Sequence, residues 1–265
     1  MHRQTRGLLA ALALTAAACR PPFNPASFPS NEALYKAAMA EFQKHHWDNA
    51  VAAFEKLTTE LPARDSLLPR SYWYLGLSHE QQDEYLLAAQ SFSRLVESFP
   101  DDSLGPRAAL ESGRAYQHLW RKPSLDPTYG ATAMQTYETV LGLYPQAPEA
   151  DTAKARIAEL NQWFATRDYE AGMFYFTRGA YDSGIIYFKN VLDKWPDTPR
   201  ARDAMLRLAD SYRAINYHDD LTDTCTQLRS KYPNDRDVTL SCRGVTAPTT
   251  AAAPPPTKAP ADSMP

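Results

Sequence analysis

Apolar residues recur every three or four positions through most of the chain, between short polar stretches that hold glycine or proline. Residues 172–198 show the pattern most clearly. Aromatic residues run up to Gly179, and a glycine there can take the left-handed conformation that ends a helix. A second apolar stripe extends from Tyr181 to Trp195 and stops at Pro196. This predicts a helical hairpin, which needs neighbouring helices because a short helix cannot bury its apolar face alone.

Four other segments of the chain share this pattern. Each of the five segments closes with a proline, namely Pro62, Pro100, Pro145, Pro196 and Pro233. Eight residues earlier stand Phe54, Phe92, Tyr137, Phe188 and Cys225, and four residues before those stand Ala50, Ala88, Ala133, Gly184 and Leu221. The same second helix is therefore predicted five times.

Small residues mark the first helix of each segment. Ala38, Gly76, Gly172 and Ala209 lie sixteen residues before the large residue, and Gly113 takes this place in the third segment, which is lengthened by residues 121–127. Small and aromatic residues at fixed offsets are typical of tetratricopeptide repeats. We therefore expect an all-α tetratricopeptide-repeat solenoid of about five helix-turn-helix units, over residues 31–243. The fourth unit should begin with a long helix within residues 148–178.

The first eighteen residues form a positively charged start followed by an apolar run that ends in small residues before Cys19. This is the pattern of a secretory signal peptide. The apolar run is too short for a permanent transmembrane helix. Ala16-Ala17-Ala18-Cys19 resembles the bacterial lipobox, with alanine at Ala16 where leucine is usual, so we expect Cys19 to be acylated; simple cleavage is the alternative.

Arg20 follows the expected acylated cysteine. Because an aspartate there commonly retains lipoproteins at the inner membrane, arginine favours the outer membrane, facing the periplasm. Residues 19–30 contain four prolines and are predicted to be an extended spacer. Residues 244–265 are rich in proline, alanine and threonine and hold few bulky apolar residues, so they are predicted to be a disordered tail.

The charge of the chain argues against nucleic-acid binding. It has 28 basic and 31 acidic residues, a net charge of −3. The six histidines have no ligand spacing, and no phosphate-binding loop or activated nucleophile is recognisable. We therefore expect no metal, no cofactor and no enzymatic activity. Cys225 and Cys242 could form a disulfide in an oxidising periplasm, or Cys225 could be a buried thiol; the sequence leaves both open.

Some first-helix residues are expected to line a groove rather than the core. They are Tyr35 and Met39 in the first repeat, Arg70, Trp73 and Leu77 in the second, and Arg107, Arg114 and Gln117 in the third. Aromatic, methionine and arginine side chains together suit an extended or helical peptide with acidic residues or a negative end. The alternative is that the aromatic residues among them are core residues.

The hairpin carries a more specific resemblance. Residues 174–181, Phe-Tyr-Phe-Thr-Arg-Gly-Ala-Tyr, with Val191-Leu192 and the closing Trp-Pro-Asp-Thr of residues 195–198, resemble the fourth repeat of the BamD family. That family comprises the tetratricopeptide lipoproteins of the outer-membrane β-barrel assembly machinery. The order of features along this chain, a lipobox followed by a short spacer and five repeats, agrees with that family. Family members often carry Asn-Arg where this chain has Ile186-Tyr187.

The resemblance implies a scaffold without catalysis. Its C-terminal repeats would dock the barrel-forming subunit through residues of the hairpin that include Arg178, Tyr181 and Tyr187. Its N-terminal groove would meet unfolded outer-membrane protein precursors. The alternative is another tetratricopeptide envelope lipoprotein, either a pilotin for a pilus or secretion machine or a cell-division adaptor. A periplasmic glycan-binding or enzyme-associated module is a third class, for which the sequence offers no support.

Overall fold

The computed structural model of the chain describes residues 23–246. The predicted signal peptide, the predicted lipid-attachment residue Cys19 and the predicted tail beyond Thr246 lie outside these residues. Within the described range every regular element is helical and no strand occurs, so the predicted all-α class is confirmed. No helix in this range has the length and apolar character needed to cross a membrane.

Eleven α-helices and one short 3-10 helix, Pro25–Ser27, make up the described range. The α-helices are α1 (Asn31–Gln43), α2 (Trp47–Glu60), α3 (Leu67–Glu80), α4 (Tyr85–Ser98), α5 (Gly105–Leu119), α6 (Thr128–Leu143), α7 (Glu149–Phe176), α8 (Tyr181–Lys194), α9 (Pro199–Ala214), α10 (His218–Lys231) and α11 (Arg236–Ser241). The first ten helices are the five predicted pairs.

The chain divides into two compact units, which we describe separately. In the described range, unit 1 comprises residues 23–121 and 125–158, and unit 2 comprises residues 122–124 and 159–246. In unit 1 each of the helices α1 to α5 packs on the next one in the chain. In unit 2, α8 packs on α9, α9 on α10, and α11 on both α9 and α10.

The second helix of each pair ends close to the proline that the sequence predicts as its end. Each closing proline lies two residues beyond the end of the second helix in its pair. The turn before the second helix holds one residue with positive φ in four of the five pairs, at His45, Asp83, Gly179 and Asn216, with φ of 59°, 60°, 74° and 61°. Glycine, at Gly179, takes this conformation without steric cost, and histidine, aspartate and asparagine are the other residue types enriched there. The third pair has the longer connection 120–127 instead.

The repeated large residues form the centres of the cores. Phe54, Phe92, Tyr137, Phe188 and Cys225 are all fully buried. A Cβ atom added at Gly76, Gly113 or Gly172 would lie 2.5 Å from the ring of Phe92, Tyr137 or Phe188 respectively. The first helix of each of these pairs therefore needs a glycine where the ring of its own second helix presses against the backbone.

Helix α7 runs without interruption for 28 residues. The pair Arg167-Asp168, which could have weakened it, is held within unit 2 instead. Asp168 is 6% exposed and accepts hydrogen bonds from Asn190 of α8 and from Arg167, the latter at 3.2 Å. Hydrogen bonds of this kind offset the cost of burying the carboxylate. Asp168 is therefore accommodated in the middle of α7 and does not interrupt it.

The N-terminal spacer is not simply extended over its described part, and this corrects the prediction. Residues Pro25–Ser27 form a 3-10 helix capped by the side chain of Asn24. Phe23 and Phe28 lie 5.7 Å apart, ring centre to ring centre, and both pack against the core of the first repeat. The two aromatic rings bury apolar surface, which favours docking over a free spacer.

Helix α11 covers the last repeat. The structure contains the Cys225–Cys242 disulfide, with Cα atoms 5.5 Å apart. Arg202 of α9 pairs with Asp235 and Asp237, the latter at 2.8 Å. The residues after α11 are fastened as well, because Arg229 donates to the carbonyl oxygens of Cys242 and Val245 at 2.7 and 2.9 Å. Val245 packs against the core of unit 2, two residues beyond the predicted domain boundary.

Candidate protein-interaction sites

The first part of the predicted groove lies on α1 and α3 of unit 1. Tyr35 is half-buried, and its ring meets that of Phe54 edge to face, with centres 6.0 Å apart. Burial and the charge of Tyr74 raise the pKa of Tyr35, while the charge of Arg70 acts in the opposite direction. Met39 is also half-buried against the core of the first repeat.

Trp73 does not line an open groove, and this prediction is corrected. The side chain is 6% exposed and its ring centre lies 5.2 Å from that of Phe92, inside the core between the second and third repeats. The guanidinium carbon of Arg107 lies 5.1 Å from the centre of the Trp73 ring. The indole thus supports Arg107 through a cation–π contact rather than presenting a face to a ligand.

Arg114 is paired within its own helix. Its Nη1 atom donates to both carboxylate oxygens of Glu111, at 3.0 and 2.8 Å. Burial raises the pKa of Glu111, and Arg114 opposes that shift. Sequence reasoning missed Glu111, although a glutamate three residues before an arginine on a helix is a recognised pairing pattern.

Leu77 and Gln117 lie at the edge of the core. Leu77 is half-buried and packs against the apolar cluster around Phe92. Gln117 is half-buried as well, and its carbonyl oxygen accepts a hydrogen bond of 2.8 Å from the hydroxyl of the buried Tyr137. Gln117 therefore satisfies a core hydroxyl, and only its amide nitrogen remains for other contacts.

Arg70 and Arg107 are the groove residues that stay exposed. Each lies six residues before the small glycine of its repeat, Gly76 or Gly113, so the two occupy the same repeat position on α3 and α5. Within the described part of the chain neither forms a salt bridge with a carboxylate. The charge of Arg107 does act on the carboxylate of Glu111, one turn along α5, and opposes the rise in its pKa that burial causes. Two exposed arginines outside any salt bridge, at the same position of successive first helices, can bind carboxylate groups.

The second candidate site is the hairpin formed by α7 and α8 in unit 2. The guanidinium carbon of Arg178 lies 3.6 Å from the centre of the Phe174 ring, and its Nη1 donates to the Phe174 carbonyl at 2.8 Å. Arg178 is therefore folded back over its own helix, where it holds the Phe174 ring at the surface. Phe174 is 52% exposed.

The two predicted docking tyrosines are both packed within the hairpin. Tyr187 stacks on Tyr175 with ring centres 5.5 Å apart, and Tyr181 meets Phe176 edge to face at 5.4 Å. Both are half-buried. They fix the hairpin geometry and leave part of each ring accessible.

Sequence reasoning did not select Phe174 and Ile186 as site residues, yet they are the most exposed large apolar side chains of the hairpin. Ile186 is 68% exposed on α8. Their positions in the sequence could have indicated this exposure. Both residues lie outside the apolar stripe that the three-and-four spacing assigns to the core. With Arg178 and Tyr187 they form what we call the hairpin surface, consisting of Phe174, Arg178, Ile186 and Tyr187. Exposed apolar and aromatic residues together are typical of protein-binding surfaces.

Paired helices with repeated small, large and proline positions, together with exposed arginine and aromatic surfaces, define a tetratricopeptide-repeat protein. A family model described as outer membrane lipoprotein, YfiO, matches residues 29–228. The chain belongs to this family, and the BamD resemblance is confirmed.

Two relatives and one solved structure illustrate the likeness. The chain is 22% identical over 205 residues to the outer membrane protein assembly factor BamD of Caulobacter vibrioides, covering 77% of this chain and 67% of that protein. It is 25% identical over 227 residues to BamD of Vibrio cholerae, covering 82% and 93%. A tetratricopeptide-repeat protein of Bacteroides fragilis aligns in structure at 11% identity, with a TM-score of 0.46 over 81% of this chain and 96% of that one.

Proposed function

We propose that this chain is a lipid-anchored scaffold for the assembly of β-barrel proteins at the periplasmic face of the outer membrane. The observation that carries the proposal is the family match over residues 29–228, together with relatives named as outer membrane protein assembly factors. Acylated Cys19 would supply the anchor. The chain would act by binding and positioning its partners, without a catalytic step.

Within this proposal the hairpin surface docks the barrel-forming subunit of the assembly machinery. Phe174 and Ile186 offer exposed apolar area, and Arg178 lies over the Phe174 ring and provides a cation at its edge. Aromatic residues and arginine are enriched at protein interfaces, and tyrosine and arginine are frequent among the residues that contribute most to binding energy. Ile186-Tyr187 replaces the Asn-Arg common in the family, so we expect this contact to be more apolar here.

Site-specific photocrosslinking tests the docking surface. A photoreactive amino acid at Ile186 should crosslink to the barrel-forming subunit in membranes. The same residue at Leu143, which is 54% exposed in unit 1, serves as the matched control and should not. Equal crosslinking from both positions, or none from Ile186, contradicts docking through this surface.

The groove on α1, α3 and α5 would bind unfolded outer-membrane protein precursors. Arg70 and Arg107 carry this part of the proposal, because both are exposed and neither forms a salt bridge in the described range. We expect charge reversal, Arg70→Glu with Arg107→Glu, to weaken binding of an acidic precursor peptide by about tenfold or more. Arg64→Glu, at an exposed loop position, is the control. Unchanged affinity of the double variant would exclude these arginines from recognition.

A further inference from the structure

The first part of the described chain, residues 23–30, is bound to the first repeat at several points, and we call it the docked segment. Phe23 and Phe28 are half-buried and pack against the apolar core of that repeat. The 3-10 helix between them packs on α2. Burial of the two rings favours this attachment, because it removes apolar surface from water.

Hydrogen bonds fix the shape of the docked segment. The Asn24 side chain accepts from the backbone N–H of Ala26 at 3.0 Å, and the Ser27 hydroxyl donates to the Asn24 carbonyl at 2.7 Å. At the other end, the Ser30 hydroxyl oxygen accepts from the N–H of Ala33 at 3.2 Å and caps α1. The segment is therefore held both by the core of the repeat and by the start of its first helix.

This attachment shortens the tether between a lipid anchor and the folded repeats. Four peptide links separate Cys19, the predicted acylated residue, from Phe23, and an extended chain of that length spans about 14 Å. A spacer that stayed free up to Asn31 would contain twelve links and reach about 40 Å. An acylated cysteine stays at the membrane surface while its chains enter the hydrocarbon region. Whatever path the four links take, Phe23 then lies within about 14 Å of that surface.

We propose that the docked segment holds the first repeat against the lipid headgroups of the membrane. The inference rests on the proposed lipid anchor and adds a position to it. A helix with its side chains is about 10 Å wide, so a gap of about 14 Å has room for one helix at most. Tyr35, the first residue of the predicted groove, packs against the same core as Phe23. The groove proposed for unfolded precursors therefore begins close to the membrane surface.

Two positions for the same insertion test the proposal in the full lipidated chain. A Gly-Ser sequence of about sixteen residues adds roughly 22 Å of root-mean-square length. Placed between Pro22 and Phe23, it lengthens the tether in front of the docked segment. Placed between Phe28 and Pro29, it lies behind the two packed rings and leaves the tether unchanged, so this variant is the matched control.

The measurement is fluorescence quenching on vesicles of phosphatidylethanolamine and phosphatidylglycerol that contain a lipid with a nitroxide on its headgroup. A fluorophore attached at Lys36→Cys, an exposed position of α1, reports the distance of the first repeat from the headgroups. We expect the insertion before Phe23 to lower quenching at least about twofold, because the label spends less time near the surface. The insertion after Phe28 should leave it at the wild-type value. Phe23→Ser with Phe28→Ser should lower it as well, with unchanged circular dichroism.

Two results overturn the inference. Equal quenching in the wild type and in the chain with the insertion before Phe23 would mean that tether length does not hold the repeat at the surface. An equal loss with both insertions would mean that the segment is not docked. Vesicle flotation separates these results from a failure of the proposed function. A chain that does not float contradicts the lipid anchor and this inference with it, whereas a chain that floats and gives either result contradicts this inference alone.

Discussion

At the scale of single residues, the contact between a glycine and a ring decides how closely the two helices of a pair approach. In the second repeat, the Phe92 ring occupies the space that a side chain at Gly76 would need. Phe92 is fully buried among well-packed neighbours, so it cannot swing away to make room. The small residue at this repeat position is therefore required by the space that the facing ring occupies.

We expect Gly76→Ala to destabilise unit 1 by about 1–3 kcal/mol, because the new methyl group overpacks the core against Phe92. Gly142→Ala is the matched control, since no atom lies within 4 Å of the added Cβ. There alanine should be neutral or stabilise the helix by up to about 1 kcal/mol. Urea unfolding followed by circular dichroism measures both. If Gly76→Ala is as stable as the wild type, the packing explanation fails.

A second residue-scale prediction concerns the carboxylate of Glu41. Its hydrogen bond from Asn49, at 2.8 Å, is the main cause that lowers its pKa to about 2, with His46 and Lys44 contributing. Because the folded pKa lies below the unfolded one, this stabilisation is complete above the unfolded value of 4.5 and is lost as the pH falls through about 2. Asn49→Ala should therefore cost about 1–2 kcal/mol at pH 7 and much less at pH 2.

The measurement is the urea midpoint of wild type and Asn49→Ala at both pH values. Asn161→Ala, a half-buried asparagine with no contact to Glu41, controls for loss of an amide side chain. An equal loss of stability at pH 7 and pH 2 would show that Asn49 acts through packing and not through the charge of Glu41.

At the scale of elements, the six-residue helix α11 depends on the disulfide, the ion pairs of Arg202 and the hydrogen bonds of Arg229, because a helix this short is not stable alone. We expect Cys225→Ser with Cys242→Ser to lower stability by about 3 kcal/mol, the cost estimated for opening a loop of this size. Helical content should remain almost unchanged, since the Arg202 and Arg229 bonds still hold the segment.

Hydrogen exchange resolves this effect locally. Amides of residues 236–245 should exchange faster in the double variant, while those of α8 keep their protection. Arg202→Ala in the disulfide-bonded chain is the comparison, and should loosen Asp235 and Asp237 only. Unchanged protection of α11 after loss of the disulfide would mean that the ion pairs alone hold it.

The helices and turns could largely be predicted from the sequence, because the spacing of apolar residues, glycines and prolines determines where they lie. The five closing prolines, the left-handed Gly179 and the Gly172–Phe188 approach all follow from residue types at fixed offsets. The turns at His45, Asp83 and Asn216 carry no glycine, and their positive φ is signalled only weakly, by residue types that are enriched in this conformation but more often adopt others.

The sites were less predictable, because exposure depends on which helix packs against which face. Periodicity alone could not tell whether Trp73 faces a groove or Phe92, and it faces Phe92. Glu111 lies one helical turn before Arg114, so the spacing predicts their pairing, whereas the burial of Glu111 depends on tertiary packing. The exposure of Phe174 and Ile186 depends on how α7 and α8 pair, which the resemblance did not reveal.

At the scale of the whole molecule, family membership supports the proposed scaffold function, and the chain offers two candidate protein-binding surfaces. Unit 1 carries the exposed arginines of the groove, and unit 2 carries the hairpin surface. A scaffold needs surfaces that act on different partners, so a change at one should leave the other partner bound. The hairpin variant Phe174→Ala with Ile186→Ala removes two exposed side chains and should not unfold unit 2, because neither belongs to its core.

Affinity purification of the tagged full chain from membranes in mild detergent tests the central claim most directly. We predict that the barrel-forming subunit of the outer-membrane assembly machinery co-purifies with the wild type. Recovery should fall at least about tenfold for the Phe174→Ala, Ile186→Ala variant and stay unchanged for the control Leu143→Ala. Absence of that subunit from the wild-type purification, with the chain itself intact in the membrane fraction, would contradict the account.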